Sequence, residues 1–284
     1  MPKVIVTGGS GKLGPACLRE LVEHGWDVVN VDRVAPAEDI CPFVEVDLAD
    51  YGQVAGVLSG VDGTITDVDA VAHLAAIPAP GRRPNSVTFA NNVPSTYNIL
   101  AAARAAGIKN VVLASSETVL GLPFDVPPPY APVDEEYFPR PESTYSLGKL
   151  LEETMAAQFC RWDPELKVSS LRFSNVMRPE DYAKFPSFQN DAAARKWNLW
   201  GYIDARDGAQ GVRLALERTG TGFEAFIIAN ADTVMERPSA ELLAEVFPDV
   251  PVRGEVAGNE TLLSIKKAQR MLGYEPKHTW RNHV

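Results

Sequence analysis

The chain has 284 residues, a formal net charge of −10 and 45% hydrophobic residues. That is enough apolar material for one large α/β domain, or one domain with a small appendage, and no stretch is apolar for long enough to span a membrane. Lysines and arginines are scattered, which argues against a nucleic-acid surface. Cys17, Cys41 and Cys160 are far apart and suit free thiols in a reducing cytoplasm, and the four histidines (His24, His73, His278, His283) lack metal-ligand spacing.

The chain enters a strand at once, so no signal peptide is expected. Val4, Ile5 and Val6 form a β-branched apolar run of the kind buried on both faces. Gly8, Gly9, Gly11 and Gly14 follow, and residues 15–23 read as a helix with Ala16, Leu18, Leu21 and Val22 on one side. A strand that turns through glycines into a helix leaves backbone N–H groups pointing outward, an anion site that fits a dinucleotide pyrophosphate. Two registers match: Gly9, Gly11 and Gly14 as G-x-G-x-x-G, and Gly8, Gly11 and Gly14 as G-x-x-G-x-x-G. Asp27–Asp32 is the second strand, and Asp32 stands about 20 residues on, where an acid binds the ribose 2′-hydroxyl.

Residues 43–46 predict a third strand, ending in Asp47-Leu48, and residues 53–58 a helix. Ala70–His73 is the fourth strand, and a loop with Pro78, Pro80, Gly81 and Pro84 follows it. Residues 87–106 form a long helix closed by Gly107, and residues 111–114 a fifth strand ending in Ser115-Ser116. The prolines at 123, 127, 128, 129, 132, 139 and 141 predict an irregular surface loop over a site. Residues 143–161 read as a helix and 168–173 as the sixth strand. This alternation predicts an α/β fold, a Rossmann-like doubly wound parallel sheet with a small C-terminal substrate cap. Residues 1–174 are expected to form the dinucleotide-binding domain. Residues 175–284 are expected to form the cap, interleaved with the last strand and helices of the sheet domain (204–218, 225–228, Ser239–Val246, 264–272).

Tyr145 and Lys149 stand one turn apart on one face of a predicted helix. A phenol is a poor base at neutral pH, and a nearby ammonium favours the phenolate. Such a pair can exchange a proton with a substrate hydroxyl while a nicotinamide exchanges hydride with the same carbon. Ser116 lies at a strand's C-terminal end, where ligands sit in open parallel sheets, and its hydroxyl can reach the substrate oxygen. Taken singly, each of these features also fits an exposed helix face or an ordinary strand end.

The chain resembles the extended short-chain dehydrogenases/reductases, the NAD-dependent epimerase/dehydratase group. The matching pieces are Thr7-Gly8-Gly9-Ser10-Gly11-Lys12-Leu13-Gly14, Asp47-Leu48, His73-Leu74-Ala75-Ala76, Asn91-Asn92-Val93, Ser115-Ser116-Glu117-Thr118-Val119, Tyr145-Ser146-Leu147-Gly148-Lys149 and Leu171-Arg172-Phe173-Ser174-Asn175-Val176. The resemblance implies that Gly8, Gly11 and Gly14 hold the pyrophosphate with Lys12 and Leu13 beside it. Asp32, with Arg33 next to it, would take the adenosine ribose, Asp47 and Leu48 would flank adenine, and Leu74, Ala75 and Ala76 would line the middle of the cofactor. By the same resemblance Asn92 supports Lys149 through water, Lys149 binds the nicotinamide ribose, Tyr145 is the acid/base and Ser116 assists. Phe173, Asn175 and Val176 would border nicotinamide and substrate. NAD is favoured over NADP because Asp32 would repel a 2′-phosphate, although Arg33 could reach one.

The chain departs from the family pattern in places. Leu120-Gly121 stands where Tyr-Gly is frequent. Glu117 occupies the place of an acid that dehydratases use, but Thr118 replaces their second carboxylate. No basic cluster for a diphosphate is evident; Arg172, Arg178, Arg195, Lys196 and Arg206 are candidates, and Arg82 or Arg83 could serve a substrate carboxylate. The leading expectation is a cytoplasmic NAD-dependent oxidoreductase acting on a secondary alcohol or ketone of a sugar or sugar derivative. The alternatives are a nucleotide-sugar epimerase that retains its NAD and a non-catalytic dinucleotide-binding protein. The expected partner is a small-molecule substrate, with no nucleic acid, no membrane and no metal, and the resemblance implies a homodimer through the helices at 87–106 and 143–161.

Overall fold

The computed structural model describes residues 1–61, 63 and 65–283. Its strands are β1 (Lys3–Thr7), β2 (Asp27–Asp32), β3 (Phe43–Glu45), β4 (Ala70–His73), β5 (Asn110–Ser116), β6 (Lys167–Phe173), β7 (Val176–Met177), β8 (Ile203–Asp204) and β9 (Gly222–Ile228). Seven of them form one parallel sheet in the order β3-β2-β1-β4-β5-β6-β9, while β7 and β8 pair apart from it. The strand order therefore reverses between β1 and β4, whose register sets Thr7 beside His73. Such a reversal opens a crevice at the carboxyl ends of the strands.

Alternation along each strand divides the core into two layers. Val4 and Val6 pack with Leu18 and Leu21 of α1 (Gly14–Glu23) and, through α5 (Ala205–Glu217), with Ala209 and Val212. Ile5, Val29 and Val31 face the other way, onto α2 (Tyr51–Ser59), α3 (Asn85–Ala105) and α4 (Thr144–Trp162). Val4, Ile5 and Val6 are essentially inaccessible to water, and each such side chain stabilises the fold by about 1.5–3 kcal/mol relative to exposure. Asp50 caps α2 by accepting from Gln53 N at 3.2 Å. A Ser143–Ser146 capping box starts α4 immediately before Tyr145 and so fixes where that side chain leaves the helix. Two short helices, α6 (Ser239–Val246) and α7 (Lys266–Leu272), complete the chain's regular elements.

The proline-rich segment departs from expectation. It forms neither helix nor strand, as its missing N–H groups require; part of it lies at the surface, with Val126 and Phe138 exposed, while another part is built into the core. Phe124, Tyr130, Ala131 and Val133 are buried. The donors that remain are used in pairing with an extended stretch near the C-terminus: Ala131 N bonds Pro251 O at 3.0 Å and Val133 N bonds Leu262 O at 2.9 Å. In return Arg253 N and Ser264 N donate to Ala131 O and Val133 O. Between β7 and β8 the backbone winds into two 3₁₀ runs, Pro179–Phe188 and Ala192–Asn198. Their tight turns do not keep the 3.6-residue period, so the sequence shows no helix pattern there. Tyr182, Phe185, Tyr202 and Trp280 gather beneath these runs as an aromatic cluster. Among the described residues no helix is long and apolar enough to cross a membrane.

Candidate active site

A cleft of about 730 Å³ lies over the carboxyl ends of the strands where their order reverses. Gly8, Gly11 and Gly14 line it, and Gly9 does not. Gly8 has φ +76°, and a Cβ there would stand 2.6 Å from Ala75 N. A Cβ on Gly14 would lie 2.2 Å from Gly9 O, and one on Gly9 would meet Asn30 Oδ1 at 2.2 Å. Gly9 is thus spent on packing under the loop, and the register that faces the cleft is Gly8, Gly11, Gly14. The amides at the start of α1 have no partner within the helix and point at the same space. Arg178 holds the loop from outside through Lys12 O at 2.9 Å, and Lys12 Nζ pairs with Asp181 Oδ2 at 2.7 Å.

At one end of the cleft stand Asp32, Arg33, Asp47 and Leu48. Asp32 Oδ1 accepts from Arg33 N at 2.7 Å and Oδ2 from Ser10 N at 3.2 Å, so its charge is fixed beside the glycine loop. Asn98, a buried residue of α3, donates to Leu48 O at 2.9 Å and steadies that turn. Leu74, Ala75 and Ala76 line the middle. The side-chain amide of Asn92 accepts from Ile77 N at 2.8 Å and donates to Ile77 O at 3.0 Å, pinning the loop after β4. Its neighbour Asn91 faces the cleft.

At the other end the cleft brings together Ser116, Glu117, Tyr145, Lys149, Phe173, Asn175 and Val176. The β5–β6 register sets Ser116 beside Phe173. Ser116 Oγ accepts from Thr118 N at 3.2 Å and faces the Tyr145 phenol. Lys149 Nζ donates to Ala114 O at 2.8 Å and to Glu152 Oε2 at 2.9 Å. An ammonium has three donors, so one remains for the cleft. Burial alone would lower the pKa of Lys149, but Glu152 and Tyr145 more than offset it and hold it above the ordinary lysine value. The expected acidification of Tyr145 is not what prevails in the free protein. Burial pushes the phenol up, and the pull of Lys149, itself shared with Glu152, only partly opposes it.

Glu117 is buried and accepts from Ser174 Oγ at 2.6 Å and Asn198 Nδ2 at 3.1 Å. Burial drives its pKa up to about 7 against those donors and Arg195. The four arginines that could meet a diphosphate are engaged. Arg172 is paired with Glu153 at 2.8 Å, Arg206 with Asp204 at 2.8 Å, and Arg178 with the glycine loop. Arg195 donates to Gly201 O at 2.9 Å and lies over the rings of Phe188 and Trp197. Arg82 lines the cleft; Arg83 and Lys196 do not. Glu152 and Trp197 carry no motif, and only their place in the fold marks them. His73 is buried between Thr7 and Thr96, as a core residue should be.

The model of the NAD dependent epimerase/dehydratase family matches residues 4–229. The chain belongs to this family. Among the family's members, UDP-glucose 4-epimerase 2 of Oryza sativa subsp. japonica is 31% identical over 251 residues, covering 79% of the chain and 57% of that protein. UDP-glucose 4-epimerase of Erwinia amylovora is 32% identical over 187 residues, covering 61% of the chain and 52% of that protein. The chain thus spans little more than half the length of these two curated relatives. A solved UDP-galactose 4-epimerase superposes with a TM-score of 0.70 at 28% identity, covering 98% of this chain and 94% of that one. MoeE5, solved in complex with UDP-glucuronic acid and NAD, gives 0.71 at 25% identity, covering 98% and 95%.

Proposed function

We propose that this chain binds NAD along the cleft and acts as a sugar epimerase at a secondary alcohol carbon, with a nucleotide-linked sugar as substrate. The observation that carries the reading is Tyr145, Lys149 and Ser116 converging at one end of a cleft whose other end is the glycine turn and Asp32. NAD held in the cleft would supply a reversible hydride acceptor for the carbinol carbon; return of the hydride to the opposite face would invert that carbon with no net oxidation. Gly8, Gly11 and Gly14 let backbone amides approach the pyrophosphate, and Asp32 accepts from the adenosine ribose and disfavours a 2′-phosphate. Tyr145 takes the hydroxyl proton as the carbon is oxidised and returns it afterwards, while Ser116 holds the oxygen. Lys149 steadies the phenolate and the nicotinamide ribose. The relatives, named as 4-epimerases, support hydride return over net dehydrogenation.

A second reading, net oxidation of an unlinked sugar, draws on the engaged arginines: Arg172, Arg178, Arg195 and Arg206 all have partners. One experiment separates the two. The protein is incubated with NAD and a panel of UDP-sugars and free sugars, and both epimer ratio and reduced nicotinamide are followed. Epimer interconversion without free NADH supports the first reading, and stoichiometric NADH from a free sugar supports the second. No change with any sugar, or a Tyr145→Phe variant as active as the parent, refutes both; loss of about 10²–10⁴-fold is expected for that variant. The outward side chains Val87, Phe89 and Tyr97 of α3 and Leu147 and Trp162 of α4 are exposed. They support a homodimer through these helices, which sedimentation at the monomer mass in analytical ultracentrifugation would refute.

A further inference from the structure

Glu152 stands beside Lys149, and no motif accounts for it. It lies one turn beyond Lys149 on α4; both side chains are 4% exposed, and the pair closes at 2.9 Å. Its second oxygen, Oε1, is buried without a hydrogen-bond partner among the described residues. A buried ion pair is by itself weak evidence for stability, since apolar side chains in place of both Glu152 and Lys149 would often serve as well. A polar column reaches it from β1. Thr7 Oγ1 lies 2.7 Å from His73 Nδ1, His73 Nε2 lies 3.2 Å from Thr96 Oγ1, and Thr96 faces Glu152 from α3. Burial holds His73 neutral, so the column brings no cation to compete with Lys149. The other charged groups nearby are Glu153, bound to Arg172, and Glu117 at the end of β5.

We propose that Glu152 is a positioning residue that holds the Lys149 ammonium against Ala114 O and sets the pH range in which Tyr145 exchanges its proton. The proposal rests on Tyr145 being the proton-exchanging group of the reading above. A negative charge raises the proton affinity of every neighbour. Its removal moves Tyr145 and Lys149 to lower pH together, so both limbs of a pH profile travel the same way. A side chain that merely fills space would change stability or rate without moving them.

Glu152→Gln keeps the shape and one acceptor and removes the charge. In cofactor-free protein the tyrosinate absorbance of Tyr145 is isolated by subtracting the spectrum of the matching Tyr145→Phe variant. It is expected to appear about one pH unit or more lower in Glu152→Gln than in the parent. The bell of kcat against pH is expected to move to acid in step. Superimposable Tyr145 titrations overturn the proposal, whatever the activity does. Should Glu152→Gln not fold, Glu152→Asp draws the charge back by one methylene; a smaller shift in the same direction supports the proposal, and an unmoved titration overturns it. A parent protein that turns over no sugar refutes the reaction reading, and the tyrosinate titration then still decides the role of Glu152.

Discussion

Glu153→Leu would strand a guanidinium in the core. Arg172 donates through Nε to Glu153 Oε1 at 3.0 Å and through Nη2 to Oε2 at 2.8 Å, and both side chains are 5% exposed. Its Nη1 already lacks a partner. Removing the carboxylate leaves a buried cation with no counter-ion, a loss of about 3–5 kcal/mol. Arg172→Leu leaves Glu153 with only the Ser115 hydroxyl, at 2.6 Å, and should cost a similar amount. The double variant removes both charges and the unpaired Nη1, and leaves only Ser115 without its acceptor, about 1–3 kcal/mol. The two single losses should therefore exceed the double's by about 3 kcal/mol or more. Urea unfolding followed by linear extrapolation measures all four proteins. Additivity to within about 0.5 kcal/mol would refute the pairing as an energetic unit. The pair matters to the site because β6 runs from Arg172 straight into the cleft-lining residues Phe173 to Val176.

Gly8→Ala forces a methyl into a backbone at φ +76° and to 2.6 Å from Ala75 N, so NAD affinity measured by calorimetry should fall at least about tenfold; an unchanged affinity would contradict the close-approach argument. Asp32→Ser removes the charge that repels a 2′-phosphate while leaving Arg33 nearby, so the ratio of NADP to NAD affinity should rise; a ratio that stays put removes Asp32 from the ribose site. Glu117 has a folded pKa of about 7, raised above the unfolded carboxylate value. Its contribution to stability is therefore complete below the unfolded pKa and is lost as pH rises through about 7. The stability of the parent relative to Glu117→Gln should decline across that window, and a flat difference would show that Glu117 is not perturbed.

Local features of the chain carried the sheet. The buried runs Val4–Val6 and Asp27–Asp32 have a pattern that burial on both faces imposes, and β2 and β4 begin and end where that pattern does. The site was legible where chemistry is written in spacing, as with the glycine turn or the one-turn step from Tyr145 to Lys149. It was illegible where the partner comes from far along the chain. Nothing near Asn92 announces that Ile77 will consume its amide, and nothing near Tyr145 announces that burial will outweigh its lysine. The prolines at 123–141 correctly excluded helix and strand, but a residue that cannot donate can still be buried when its neighbours' donors find acceptors more than a hundred residues away. Arg172 and Arg206 looked available for a phosphate because their carboxylates, Glu153 and Asp204, carry no pairing signal in sequence.

The strand-like pairing of residues 131 and 133 with 251–264 ties the middle of the polypeptide to its far end. During synthesis the first five strands can find one another as they emerge, but the middle segment must wait, with Phe124, Tyr130 and Val133 uncovered, until its late-arriving partner is made. That interval is a window for chaperone capture or self-association, so heterologous yield should respond more to translation speed and growth temperature than the finished fold alone suggests.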